Sequence, residues 1–129
     1  MEGLNKVRDI CHDEAICNGW HDDTLLHING ITIIEADMLE MAYKAQQISL
    51  MHSELSECLE GIRRDLQDKK LPHRKAEHVE IVDLLMRALD YCGEFDIDID
   101  EIMSEKIEYN KTREDHKPEN RDQVNGKKF

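Results

Sequence analysis

The sequence predicts an all-α fold: about four helices, one of them long, in a helical bundle completed by oligomerisation. Three observations carry this. Apolar residues recur at spacings of three and four along most of the chain. Aromatics make up 5% and charged residues 36%, which leaves a core of the Leu, Ile, Met and Ala type. One periodic stretch, from about Ile33 to Leu66, is longer than a compact domain of 129 residues needs, so part of its apolar face is expected to meet another subunit.

The elements follow in order. Leu4, Val7, Ile10, Cys11 and Ala15 place a short first helix over Leu4 to Ile16, and Asn18-Gly19 stops it, with Gly as the left-handed cap. A connector from Trp20 to about Ile31 holds Asp22, Asp23 and the turn signal Asn29-Gly30. The long helix carries Met38, Met41, Ala45, Ile48, Met51, Leu55, Cys58, Leu59, Ile62 and Leu66 at helical spacing, with Gly61 as its one glycine. Asp68 to Pro72 reads as a polar turn. A third helix is expected from about His73 or Arg74 to Cys92, ended by Gly93. Phe95 to Asp100 alternates like a strand but reads as a connector, with Asp98 or Asp100 capping a fourth helix from about Glu101 to Arg113. Pro118 is expected to close the ordered part, before a polar tail from Glu119 to Phe129. The whole, 1–129, reads as a single domain, with 1–31 its N-terminal helix and connector.

Net charge −12 argues against nucleic acid and anionic membranes as partners and for the recruitment of cations. The N-terminus reads Met-Glu-Gly-Leu-Asn-Lys with no apolar run behind it, and no segment is apolar enough to span a bilayer. A cytoplasmic location is therefore expected, a host's cytoplasm if the chain is viral. Cys11, Cys17, Cys58 and Cys92 form no C-x-x-C and read as reduced thiols. Cys11, His12, Cys17 and His21 match no usual zinc spacing.

Two carboxylate pairs stand out. Glu54 and Glu57 lie three residues apart, as do Glu80 and Asp83, so each pair projects from one face of a helix. Neighbouring helices would join four hard oxygen donors, a set suited to Mg²⁺ or, as a substitute, Mn²⁺. Such an ion suggests phosphate chemistry. Glu54 falls inside the apolar arc of the long helix, where an acid costs several kcal/mol unless something compensates it. On the third helix Glu80, Asp83, Arg87 and Asp90 share one narrow polar stripe. Taken one at a time, such pairs are more often a solvated helix face in a chain with 29 acids. No histidine has a glutamate three residues before it, which disfavours a di-iron bundle. Lys106, Asn110 and Arg113 form a cationic and amide face on the last helix, with Lys127 and Lys128 beyond; these suit phosphate, or merely the helix dipole. No G-x-x-x-x-G-K exists, so metal and side chains would have to hold any phosphate. Trp20 is a candidate to stack a base, against the plainer role of anchoring its connector on the core.

Together these residues resemble a known family. Glu54-Leu-Ser-Glu57 followed by Glu80-x-x-Asp83 resembles the E-x-x-E, E-x-x-D signature of the all-α, MazG-like nucleoside triphosphate pyrophosphohydrolases. Glu105-Lys106-Ile-Glu-Tyr109-Asn110-Lys-Thr-Arg113 with Gly126-Lys127-Lys128-Phe129 is similar to the ending of the small single-domain members, and Asn18-Gly19-Trp20 to their N-terminal connector. Asn125 departs from the histidine often found before that glycine, and the loop from Lys117 to Val124 is long. The resemblance implies a homodimer or homotetramer that hydrolyses a nucleoside triphosphate between its α and β phosphates with Mg²⁺. Glu54, Glu57, Glu80 and Asp83 would hold the metal and serve catalysis. Lys106 and Asn110 would contact substrate, aided by Arg113 and Lys127. Alternatives are a same-fold pyrophosphatase for dUTP or phosphoribosyl-ATP, and a non-catalytic acidic helical interaction protein.

Overall fold

A computed structural model describes residues 3–21 and 33–125 of the chain. Among them the fold is all-α, and no helix is long and apolar enough to cross a membrane. The connector turn at Asn29-Gly30, with Asp22 and Asp23, lies outside the described residues, as do Gly126, Lys127, Lys128 and Phe129. The described residues fall into two compact units, one within Lys6–Asp96 and the other within Met1–Asn5 and Ile97–Phe129.

In the first unit, helix α1 (Leu4–Cys17) ends where Asn18-Gly19 predicts. Gly19 takes φ 78°, Trp20 N–H donates to Ala15 O at 3.0 Å, and Gly19 N–H donates to Ile16 O at 2.9 Å. That is a Schellman cap, which satisfies two carbonyls the helix end would otherwise leave open. Helix α2 (Ile33–Arg64) and helix α3 (Ala76–Glu94) pack against each other. They run antiparallel: Tyr43 meets Phe95, Glu54 meets Arg87, Cys58 Sγ–H donates to Glu77 O, and Gly61 abuts Ala76. A Cβ on Gly61 would lie 3.0 Å from Glu77 N and 3.1 Å from the Ala76 Cβ, so glycine is what lets the backbones approach.

The turn between them is built as its polarity suggests. Asp68 Oδ1 accepts from Lys70 N–H at 2.9 Å and from Leu71 N–H, and Gln67 pairs with Lys75 in an isolated antiparallel bridge. Lys75 Nζ reaches Asp65 Oδ1 at 2.6 Å, beside a left-handed Asp65 with φ 49°. This bridged turn delays α3, which starts at Ala76 rather than at His73 or Arg74.

Gly93 was expected to stop α3, yet it lies inside the helix, which runs on to Glu94. The left-handed residue that ends it is Asp96, with φ 48°. Gly93 serves packing instead. A Cβ there would lie 2.4 Å from the His12 Cβ and 2.6 Å from its Cγ, so the glycine admits α1 against α3.

In the second unit, helix α4 (Ile99–Thr112) is capped by Asp98, whose side chain accepts from Glu101 N–H at 3.0 Å. Asp100 caps the other helix. Its carboxylate accepts from the N–H groups of Gly3, Leu4 and Asn5 at 3.2–3.3 Å, at the start of α1. Asn5 Oδ1 returns the bond, accepting from Ile99 N–H at 2.9 Å. Two helix N-termini therefore cap each other, each with an acid placed at the positive end of a dipole. Arg113 is not helical but forms the C-cap of α4. A 3-10 turn follows at Glu114–His116, and Pro118, expected to close the ordered part, instead opens a short helix α5 (Pro118–Arg121).

Few of the described residues are buried. Cys58 and Ala76 form the buried apolar set, while Leu55, Leu59 and Ile62 on α2 and Val82, Leu85 and Met86 on α3 remain exposed. All four cysteines are free thiols, and Cys58 is the buried one.

Replacing Gly93 by alanine is expected to cost about 1–3 kcal/mol, because the added methyl must displace His12 or push α1 outward. Urea unfolding followed by far-UV circular dichroism measures it; an unchanged midpoint would show that α1 does not sit this close to α3.

Candidate metal centre

The packing of α2 on α3 decides where the two carboxylate pairs go. Gly61, Cys58 and Ala76 bring the helices together, and one turn further along Glu54 is carried into the contact, where it is only 7% exposed. It is the buried charged residue among the described ones. From α3, Glu80 and Asp83 turn toward it. One carboxylate oxygen from each of Glu54, Glu80 and Asp83 lies within 4.8 Å of the others. Glu57 stands outside that triplet and is exposed, but it is close enough for its charge to act on Glu80.

The electrostatics follow from this crowding. The Glu80 carboxyl is pushed from 4.5 up to about 7, first by burial, then by the Glu57 charge, a hydrogen bond with Glu54 and the Asp83 charge. Asp83 is also raised, by burial and then by Glu54, against the pull of Arg87 and Lys70. The gathered acids thus keep a carboxyl protonated to higher pH than isolated acids would. Such a donor set fits a hard divalent ion, which would relieve the same repulsion.

Arg87 is part of the site and was legible only as a member of the polar stripe. Its Nε donates to Glu54 Oε1 at 2.6 Å, so the buried acid already has one cationic partner. The signal for it is spacing: Arg87 stands four residues after Asp83 and seven after Glu80. The acids open into a groove of about 920 Å³, lined also by Arg64, Lys69 and Lys70 from the end of α2 and the turn. These three cations were not singled out in the sequence, since a basic turn has no spacing signature. A smaller cavity of about 260 Å³ shares Glu54, Asp83 and Arg87 and is bounded by Asn18, Trp20 and Met86. Trp20 is 70% exposed, so it is not anchored in a core, and it borders this cavity.

The remaining candidates lie in the second unit. On α4 the Lys106 ammonium rests 5.0 Å from the centre of the Tyr109 ring. Asn110 Oδ1 is buried without a hydrogen-bond partner. Arg113 leaves the helical face on which its spacing placed it, since α4 has ended, and its guanidinium forks onto Asp115 at 2.6 and 2.9 Å. Lys127 lies outside the described residues.

Comparison with protein-family models, with curated proteins and with solved structures gives no match for this chain.

The raised Glu80 carboxyl makes stability depend on pH. In the folded state it binds a proton between pH 4.5 and about 7 that the unfolded chain has released, so its contribution is complete below 4.5 and is lost as pH rises through about 7. Metal-free protein should melt at a lower temperature at pH 8 than at pH 6, and Glu80→Gln should remove most of that difference. Equal slopes in wild type and variant, by differential scanning fluorimetry, would mean that Glu80 does not sit among other acids.

Proposed function

We propose that this chain is a Mg²⁺-dependent nucleotide pyrophosphohydrolase, cleaving a ribo- or deoxynucleoside triphosphate between the α and β phosphates to a monophosphate and pyrophosphate. The observation that carries the reading is the convergence of Glu54, Glu80 and Asp83 from two facing helices at the wall of an open groove. Glu54, Glu80 and Asp83 would hold Mg²⁺ or Mn²⁺, which when bound neutralises phosphate charge and makes water more acidic. Glu57 lines the groove outside the triplet, where its carboxylate can accept the proton of an attacking water. Lys69, Lys70 and Arg64 supply cations along the groove for the β and γ phosphates. Trp20 offers an exposed indole face for a base at the smaller cavity. Lys106 and Asn110 remain candidates for substrate contact, Asn110 because its buried carbonyl oxygen lacks a donor.

One observation favours the alternative, a non-catalytic acidic helical protein: Arg87 already neutralises Glu54, as it would in a purely structural ion pair. Pyrophosphate release separates the two. The expected outcome is Mg²⁺-dependent release from at least one triphosphate in a panel of canonical, deoxy and modified nucleotides that includes dUTP and phosphoribosyl-ATP. Glu57→Gln and Glu80→Gln should each lower turnover by at least about a hundredfold, in the range set by loss of a general base or a metal ligand, with helicity unchanged. Lys106→Ala should weaken turnover while leaving the Mg²⁺-induced rise in melting temperature intact. No release across the panel, with no thermal shift at millimolar Mg²⁺, would return the acids to a structural role.

Association of a second copy belongs to the same reading. On α2 the residues Met38, Ala45, His52 and Leu59, and one step round Met41, Ile48, Leu55 and Ile62, each repeat every seven positions, and all eight are exposed. That is the repeat a coiled-coil seam would need, and at roughly 1.5 Å per residue the stretch from Met38 to Ile62 would offer it along about 36 Å. The protein should run as a dimer or larger in light scattering at micromolar concentration, and Leu55→Lys with Ile62→Lys should shift it toward monomer. A monomeric wild-type mass would rule this out.

A further inference from the structure

The structure assigns a second cation site, for a transition metal of the Zn²⁺ class, to His12, His21 and Glu94, held by Asp90. These residues lie where α1, the start of the connector and the C-terminal half of α3 meet, and they have no part in the proposed hydrolysis. One donor atom from each of His12, His21 and Glu94 lies within 4.8 Å of the others. The two imidazoles stand edge to face, ring centres 5.0 Å apart.

The hydrogen bonds to Asp90 show which ring nitrogens carry hydrogen. Asp90 Oδ1 lies 2.9 Å from His12 Nδ1 and 3.0 Å from His21 Nε2. An ionised carboxylate only accepts, so both of those nitrogens carry hydrogen. In neutral rings the lone pairs then sit on His12 Nε2 and His21 Nδ1. The second of these faces Glu94 Oε2 at 2.8 Å, with the Tyr43 hydroxyl 3.5 Å away. A lone pair set against a carboxylate repels it, and a metal ion between the two would relieve that repulsion. All four side chains are at most about a quarter exposed, from 13% for His21 to 26% for Glu94.

The arrangement suits a metal ion. The carboxylate that binds the far nitrogen of each ring is the usual outer partner of a metal-bound histidine, fixing tautomer and orientation. Two nitrogens and one oxygen, with a place left for water, match the ligand types of tetrahedral zinc, whereas imidazole donors disfavour Mg²⁺. Tetrahedral bonds of about 2.0–2.1 Å set donors about 3.4 Å apart; the His21–Glu94 contact of 2.8 Å would open and donor separations of up to 4.8 Å would close on binding. Gly93 is the residue that allows the arrangement, since any Cβ there would expel His12.

The sequence had set His12 and His21 beside Cys11 and Cys17. The fold replaces both cysteines with acids from α3: Cys17 is exposed, and Cys11 borders the cavity shared by Asp90, Glu54 and Asp83.

Co²⁺ alone, added to chelator-treated full-length protein, tests the assignment. One equivalent should bind with the strong visible absorption of a four-coordinate nitrogen–oxygen site, and Zn²⁺ should displace it. Glu80→Gln should leave that spectrum unchanged, which separates this site from the carboxylate centre. His21→Ala should abolish it, and Asp90→Asn should weaken binding about 10–100-fold. Because a histidine variant can misfold, ¹⁵N spectra of the wild-type histidine rings give an independent readout: Zn²⁺ should shift His12 Nε2 and His21 Nδ1. Rings that stay as imidazolium in excess Zn²⁺, or Co²⁺ absorption that survives His21→Ala, would overturn the assignment.

Discussion

The close approach of α2 to α3 is the constraint from which the rest of the Lys6–Asp96 unit follows. It depends on small side chains, Gly61 against Ala76 with Cys58 beside them. Once those backbones touch, the residue one turn before Cys58 on α2 is left only 7% exposed, and that residue is Glu54. A carboxylate carried into a helix contact needs compensation worth several kcal/mol. Arg87 supplies part of it, from a side chain still one-third exposed and so partly screened by water. Glu80 adds a hydrogen bond with Glu54, its carboxyl being raised to about 7 by burial and the neighbouring charges. The acidic centre is thus a consequence of packing as much as of charge. The same four acids on splayed helices would be ordinary surface residues.

Helix α3 does double service. Glu80, Asp83, Arg87, Asp90 and Glu94 follow one another at steps of three, four, three and four, a single polar stripe along an otherwise apolar helix. Its N-terminal half meets α2 and collects oxygen donors. Its C-terminal half meets α1 and collects imidazole. One stripe therefore presents a hard donor set at one end and a borderline one at the other, and the two would select different ions. Asp90 stands between them, on the wall of a cavity that also touches Glu54 and Asp83.

The exposed apolar residues of α2 and α3 complete the energetic picture. A helix pair that leaves Leu55, Leu59, Ile62, Val82 and Leu85 in water has not buried the surface that stabilises domains of this length. The stripe on α2 repeats every seven residues, the period two helices need in order to share a seam. In the other unit, the start of α1 and α4 are joined by polar groups instead: Asn5, Asp98 and Asp100 satisfy N–H groups that helix starts cannot satisfy internally.

Local rules in the sequence determined the elements. The all-α class, the Schellman stop at Gly19, the polar turn at Asp68 and the cap at Asp98 all follow from interactions within a few residues, which a sequence displays directly. The carboxylate pairs were legible for the same reason, since three-residue spacing is a local fact. Only the tertiary structure decided that Glu54 is paired with Arg87, that Glu57 stays outside the triplet, and that Trp20 is exposed. It alone decided that Gly93 makes room for His12 rather than ending a helix, and that His12 and His21 meet Asp90 and Glu94. Each of these depends on which turns of distant helices touch. That is set by how closely small residues let backbones approach, and periodicity alone carries no record of it.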